Sequence, residues 1–512
     1  MLTIVLLRYC ESESLSEEGL RDLFERHGVA PNNSFPENYV DAKVFLILCL
    51  SGKITEGIIR CFLDYVPAAS CITDEGMTPL HLVVSNERVS LSIFQLLFNA
   101  APNSVRSTNG MGAMPLHHLC SGGKNEATAV EIVKFLIEKY PEAVRHVDND
   151  GCLPLHYACQ RRSPEFCRVL VEAYPGSERI PYGEYNILPL VGACIRNDLA
   201  TIEYFYNLYP DDIIHRTTDG GNPILLTIAG MDKRTNPITA VEIVEFLLDR
   251  NPNLSTTTFE GRECSLLFAA SHQILFQNLD IEAGLQIIKL IFDAHPEAIE
   301  GNDIALNLHN WNQQIQTFIN SQLVYARQAR DSLTTPDDNG QLPLHTALQN
   351  NVRLGSIKLL VKGNPTAVHS PDNRGSLPLH VACLHHDSTA IIQYLVGLDT
   401  TALEAVDNKH NTALHYACSG AKYETITMML EMYDAVSISK QNAEGKLPLD
   451  LLLESNEVVD RKSIEYIETI FRLLRAYPET VMNYNVYMNE EGASASDDDF
   501  STQNKRRKLA LD

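Results

Sequence analysis

Basic residues are scarce in this chain, tryptophan nearly absent. Lysine and arginine number 41 against 65 aspartates and glutamates, and Trp311 is the one tryptophan in 512 residues. The resulting net charge of −24 repels a phosphate backbone, so direct nucleic-acid binding is not expected. Long apolar runs are missing as well. The longest contender, Val44–Leu50, falls far short of the roughly 18 residues a spanning helix needs, so no membrane insertion is expected. The opening MLTIVLLRYCESES has an apolar run broken by Arg8 and no basic segment ahead of it, so no signal peptide is expected. Catalytic signatures are lacking too. There is no phosphate-cradling glycine loop, no G-x-S-x-G, no H-E-x-x-H and no kinase set. The expectation is a protein that is not an enzyme, with no catalytic residue, no cofactor and no metal.

What the chain has is a phrase. Gly151–Cys159 reads GCLPLHYAC, and its core, LPLH followed by a small residue, returns along most of the sequence. Followed by its proline, the series runs Pro79, Pro115, Pro154, Pro189 and Pro223. Ser265 and Asn307 then hold the slot, followed by Pro343, Pro378, Ala413 and Pro448. The last three steps are each 35 residues. Recurrence at a fixed step means one small unit stacked many times.

Each unit reads alike. A polar turn ending in Gly (TDEG, DNDG, DDNG, DNRG, NAEG) comes first, and Gly supplies the φ/ψ that the reversal needs. Pro follows in the first turn of a short helix, where its missing N–H costs nothing. A second helix follows a loop. Phe166, Val169, Leu170 and Ala173 mark its apolar face in one unit, and Ile391, Tyr394, Leu395 and Leu398 in another, at the i, i+3, i+4, i+7 spacing. A second Pro then stops it in many units, as in YPEAV at Tyr140–Val144 and YPET at Tyr477–Thr480.

A turn and two antiparallel helices per unit, with PLH, the upstream Gly and an Ala two positions beyond the His, resembles the ankyrin repeat. The resemblance covers roughly residues 37–485. It implies an all-α, ankyrin-like helical repeat solenoid of about ten to twelve units. It also implies a concave face of turn tips and first helices for protein binding. Two departures stand out. The family's leading Thr is read at Thr78 alone, Leu usually replacing it elsewhere, so the Thr–His hydrogen bond usual in the family loses its donor there. A Tyr-Pro-Glu-Ala type segment replaces the family's Gly-Ala-Asp, which predicts altered turns.

The domain reading is a leader or cap over 1–36, a first block of repeats over 37–299, and a second block over 336–485. Residues 300–335 are either a degenerate unit or a helical spacer, with the degenerate unit favoured because Asn307 precedes Pro343 by 36 residues. Residues 486–512 have little apolar content and no period, and read as a disordered tail. Lengthened inter-helix loops are expected at Ser121–Thr128, Gly230–Thr239 and Ser271–Glu282, with a binding role.

The repeated His and Cys invite a metal reading. Metal ligands must converge, whereas His81, His117, His156, His345, His380 and His415 are each one repeat apart. Each His is expected to bridge backbone groups of adjacent units. Cys120, Cys159, Cys194, Cys383 and Cys418 share one repeated slot and read as small hydrophobes in a reducing compartment. In the tail, Lys505, Arg506, Arg507 and Lys508 resemble a nuclear import signal. Ser494 and Ser496 precede acidic residues as candidate phosphorylation sites. The functional expectation is a monomeric, nuclear protein-interaction scaffold or regulator. Its alternative is a cytoplasmic substrate-recognition or targeting subunit of an enzyme complex.

Overall fold

The computed structural model describes residues 2–476 except 13, 32–41, 72, 123–124, 235, 257–264, 278, 302–303, 305–306, 332–334, 433–437 and 455–462. These residues fall into two compact units, Met1–Thr317 and Phe318–Asp512. Helices build both, and among the described residues there is no strand beyond two isolated bridges that close turns, Asp74 with Met77 and Tyr182 with Ile187. The fold is an all-α helical repeat solenoid.

In the first unit the short first helices Pro79–Val83, Pro115–Ser121, Pro154–Arg161, Pro189–Arg196, Pro223–Ala229 and Leu266–Phe276 pack on one another in series. The second helices form a parallel row: Leu91–Ala100, Glu126–Lys139, Pro164–Ala173, Leu199–Leu208, Ile238–Arg250 and Ile281–Ala294. The N-terminal segments join the same two rows. Leu2–Cys10 packs on Ala42–Leu50, and Glu17–Arg26 packs on Glu56–Tyr65. The second unit repeats the plan with first helices Pro343–Gln349, Pro378–His385, Ala413–Ser419 and Pro448–Glu454. Its second helices are Leu354–Gly363, Thr389–Leu398, Tyr423–Met432 and Ile464–Ala476.

Local chemistry fixes where each helix starts. Pro at the first helical position opens most first helices. Thr55, Ser90, Asn125, Ser163, Asp198 and Asp280 cap second helices, each side-chain oxygen accepting a backbone N–H three residues on.

The buried face of the second helices is rotated from the sequence expectation. Phe166, Cys167 and Leu170 are buried, and so are Ile391, Ile392, Leu395 and Val396. Val169 and Tyr394 are half-buried, and Leu398 is 47% exposed. A helix held between two flanking helices and the first-helix row buries a face centred on i, i+1, i+4, i+5.

The Tyr-Pro segments are more than stop signals. Among the described residues the segments at Tyr140, Tyr174 and Tyr209 each form a short 3-10 helix, at Pro141–Arg145, Ser177–Arg179 and Pro210–Ile214, and so do the matching segments Pro102–Arg106, Pro296–Glu300 and Pro365–His369; Tyr477–Thr480 lies outside the described residues. This third element is what the altered turns amount to.

Around residue 307 the repeat breaks down. His309, in the His slot of the phrase, lies exposed in the 3-10 turn Leu308–Asn310. Trp311 is buried, its ring 6.0 Å from that of Phe268. The helix Gln313–Asp331 comes next, and the division between the two units falls within it.

The enlarged loops are smaller than expected. Glu126–Thr128 begins a helix capped by Asn125, Met231–Lys233 is a 3-10 turn, and Ser271–Phe276 and Ile281–Glu282 are helical. Much of the inserted sequence lengthens helices by about a turn, because caps stand early enough to start them.

Candidate functional site: the turn tips

The residues that recur are consumed by structure. His156 illustrates the rule. Its Nδ1 accepts the backbone N–H of Leu153 at 2.9 Å, and its Nε2 donates to the carbonyl of Ile180 in the next repeat at 3.0 Å. His81 reaches Ala113, His117 Cys152, His345 Ser376, His380 Ala405 and His415 Lys446 in the same way. An Nδ1 that accepts an N–H leaves the proton on Nε2, so each ring is the neutral tautomer. Burial pushes His81, His117 and His156 down to about 4, and lowers His345, His380 and His415.

The threonine hydrogen bond exists at two places rather than one. Thr78 Oγ1 lies 2.8 Å from His81 Nδ1, and Thr412 Oγ1 lies 2.9 Å from His415 Nδ1. The sequence reading missed Thr412 because Ala413 stands where the phrase has Pro. Where Leu or Met replaces Thr, the backbone N–H alone still holds the ring.

The repeated cysteines are interior. Cys120, Cys159, Cys194, Cys383 and Cys418 are fully buried and unpaired. Desolvation pushes their thiols up, which makes them poor nucleophiles. No cluster of His, Cys, Asp and Glu able to hold a metal ion occurs among the described residues.

A second set of inter-repeat bonds escaped sequence reasoning. Just past the end of a first helix, a polar side chain reaches back to the carbonyls ending the previous first helix. Asn86 donates to Cys49 and Ser51, Asn197 to Cys159 and Arg162, and His386 to Val352. Arg162, 2% exposed, donates to Leu119 and Gly122 and pairs with Glu126 at 3.0 Å. Arg234, in an inserted loop, reaches Cys194 and Thr227. Three residue types share the task, so no repeated letter betrays it.

The turns hold structural positions and exposed ones. Six residues before the phrase proline, or before Ala413 in its slot, stands Asn109, Asp148, Asp337, Asp372, Asp407 or Asn442. Its Oδ1 accepts two backbone N–H groups of its own turn. Four residues before the proline, the backbone carbonyl accepts an N–H from the next turn: Glu75 from Gly110, Met111 from Asn149, Tyr185 from Thr218, Asn339 from Asn373, Arg374 from Asn408, Lys409 from Ala443. The side chains at this fourth position point away from those bonds. Met111 is 63% exposed and Tyr185 45%, and Glu75, Asp150, Asp219, Asn339, Arg374, Lys409 and Glu444 are exposed too.

The family model for ankyrin repeats (3 copies) matches residues 88–179 and residues 344–442, so each unit holds one match. The chain carries ankyrin repeats in both stretches. A search of curated proteins finds no match to it. Ankyrin repeats are generally protein–protein interaction modules and typically carry no catalysis. No helix among the described residues is long and apolar enough to cross a membrane.

In this array the comb at the fourth position combines an anchored backbone with exposed side chains, which is what a recognition surface requires; of these, Asp219 also accepts from Thr217 Oγ1 and the Gly221 N–H in its own turn, and Glu444 pairs with Lys446. The first unit's comb is acidic and apolar: Glu75, Met111, Asp150, Tyr185, Asp219. The second unit's is mixed: Asn339, Arg374, Lys409, Glu444. Lys505, Arg506, Arg507, Lys508, Ser494 and Ser496 lie outside the described residues, as does the expected disordered tail.

Proposed function

We propose that this chain is a non-enzymatic protein-interaction scaffold or regulator, reading its partner through the turn-tip comb. The carrying observation is the contrast along the comb. Positions that recur are buried or hydrogen-bonded, while the position that varies from Glu to Met to Tyr to Arg is exposed on a backbone anchored by its neighbours. Binding to such a surface orders little backbone, so few residues can hold much of the affinity. Met111 and Tyr185, a thioether and an aromatic on an otherwise acidic comb, are the natural anchors for a partner segment with apolar and basic groups.

Replacing Met111, Asp150 and Tyr185 together by Ser tests this. The partner recovered from cells with the unaltered chain is lost by the variant, while helicity and the denaturation midpoint stay unchanged. Partner recovery equal to that of the unaltered chain defeats the proposal.

The second part of the proposal is nuclear localisation through Lys505–Lys508. The run is the one concentrated basic cluster in a chain of net charge −24. Reversing its four charges leaves a fluorescently tagged copy in the cytoplasm; unchanged nuclear accumulation refutes the import role.

A further inference from the structure

Three successive repeats carry a device absent from the comb. The guanidinium of Arg106 stacks on the Tyr140 ring at 4.8 Å, Arg145 on Tyr174 at 4.7 Å and Arg179 on Tyr209 at 4.9 Å. The geometry is sequential. Tyr140 opens the segment YPEAVR and Arg145 closes it. The segments opened by Tyr140 and Tyr174 therefore each receive an arginine from the repeat before and hand one to the repeat after.

The first two rungs are open. Among the described residues Arg106 and Arg145 have no carboxylate partner, and both are exposed. Arg179 is different, being paired with Asp212 at 3.1 Å, and the next segment, YPDDII, ends in Ile214 with no arginine to offer. Stacking fixes the plane of a guanidinium while leaving its edge N–H donors free. An arginine so held has given up part of its rotamer freedom already, and it presents the fork that matches a carboxylate bidentately.

We propose that Arg106 and Arg145, held by Tyr140 and Tyr174, form a docking ladder for an extended acidic protein segment. Its residues are other than those of the turn-tip comb, Arg106 and Arg145 standing five positions before Met111 and Asp150. Adjacent helical repeats lie about 8–10 Å apart, and an extended chain advances about 3.3 Å per residue. The matching occupant therefore carries carboxylates at every third residue. A protein segment is favoured over nucleic acid because its carboxylates can be spaced to meet the two arginines alone, whereas every nucleotide adds a phosphate that the net charge of −24 repels.

The test is fluorescence anisotropy on the full chain with a labelled peptide of four Glu-Gly-Ser triplets. Saturable binding at low salt is expected. It weakens about tenfold or more in the double variant Arg106→Gln/Arg145→Gln and with a Gln-Gly-Ser peptide. Tyr140→Leu/Tyr174→Leu weakens it as well, since the arginines are no longer held, while Tyr140→Phe/Tyr174→Phe leaves it within about twofold. Denaturation midpoints of all variants confirm that the array is folded. Absence of saturable binding, binding indifferent to the arginine substitutions, or tighter capture of an oligouridine through the same arginines overturns the proposal.

Discussion

A histidine three positions into a short helix can be a ligand, a base or a strut, and at residue scale its two ring nitrogens decide. In all six phrases Nδ1 takes an N–H from its own cap and Nε2 gives one to the neighbouring repeat. Nothing remains for a metal or a substrate. Recurrence in the sequence pointed to this role, because a strut is needed once per repeat and a catalyst once per protein. The arginine and asparagine struts at Arg162 and Asn197 were illegible, since the slot tolerates any long donor and shows no shared letter.

The histidines also set a pH dependence. Their ordinary value is 6.5, and burial brings His81, His117 and His156 to about 4. Asp148 pulls His117 and His156 upward, but burial outweighs it. The unfolded chain therefore binds more protons than the folded one between these values, so stability is full above 6.5 and falls as pH drops towards 4. Most carboxylates titrate below about pH 4.5, which leaves pH 6 to 5 to the histidines. Urea midpoints measured from about pH 7 to pH 5 should fall steadily; a flat profile across that interval would mean that the rings are not held neutral.

At the scale of the element, the turn is where the sequence was most readable. Gly at its end and Pro after it were both required by backbone geometry, and both stand where expected. Gly375 has φ 77°, and a Cβ there would lie 2.9 Å from the backbone nitrogen of Asn408 in the next turn. That nitrogen donates to Arg374, so it cannot retreat without breaking an inter-repeat bond. Gly375→Ala should therefore cost about 1–3 kcal/mol and lower the denaturant midpoint. Gly397, in a helix with nothing within 4 Å of an added Cβ, should gain from the same change by about 0.5–1 kcal/mol. Equal effects at the two sites would refute the contact argument. The 3-10 helices and the shortened loops were less readable. Pro after a helix announces that the helix ends, but it leaves the identity of the next element open. An insertion does not say whether its residues will join a helix until the position of the cap is known.

At the scale of the whole molecule, periodicity predicted stacked helical pairs, and both units show them. Where the period failed, near Asn307, the structure also departs: His309 faces solvent and Trp311 is buried in its stead. Charge acts at this scale too. Ion pairs such as Arg21–Glu17 at 3.0 Å and Arg60–Glu56 at 2.5 Å are exposed, and pairs of this kind contribute about 0–1 kcal/mol each. Against them stands an excess of 24 negative charges, whose mutual repulsion destabilises the folded state. Salt screens both effects, over about 10 Å at 0.1 M. The pairs are few and local, whereas the repulsion is summed over the surface, so its relief prevails. Raising sodium chloride from about 0.02 M to about 0.3 M should raise the thermal midpoint at neutral pH. A midpoint that falls would show that the surface ion pairs outweigh the net charge. With Lys505–Lys508 reversed to glutamates the excess grows by eight, and the rise with salt should be steeper; an unchanged slope would show that the summed charge does not govern it.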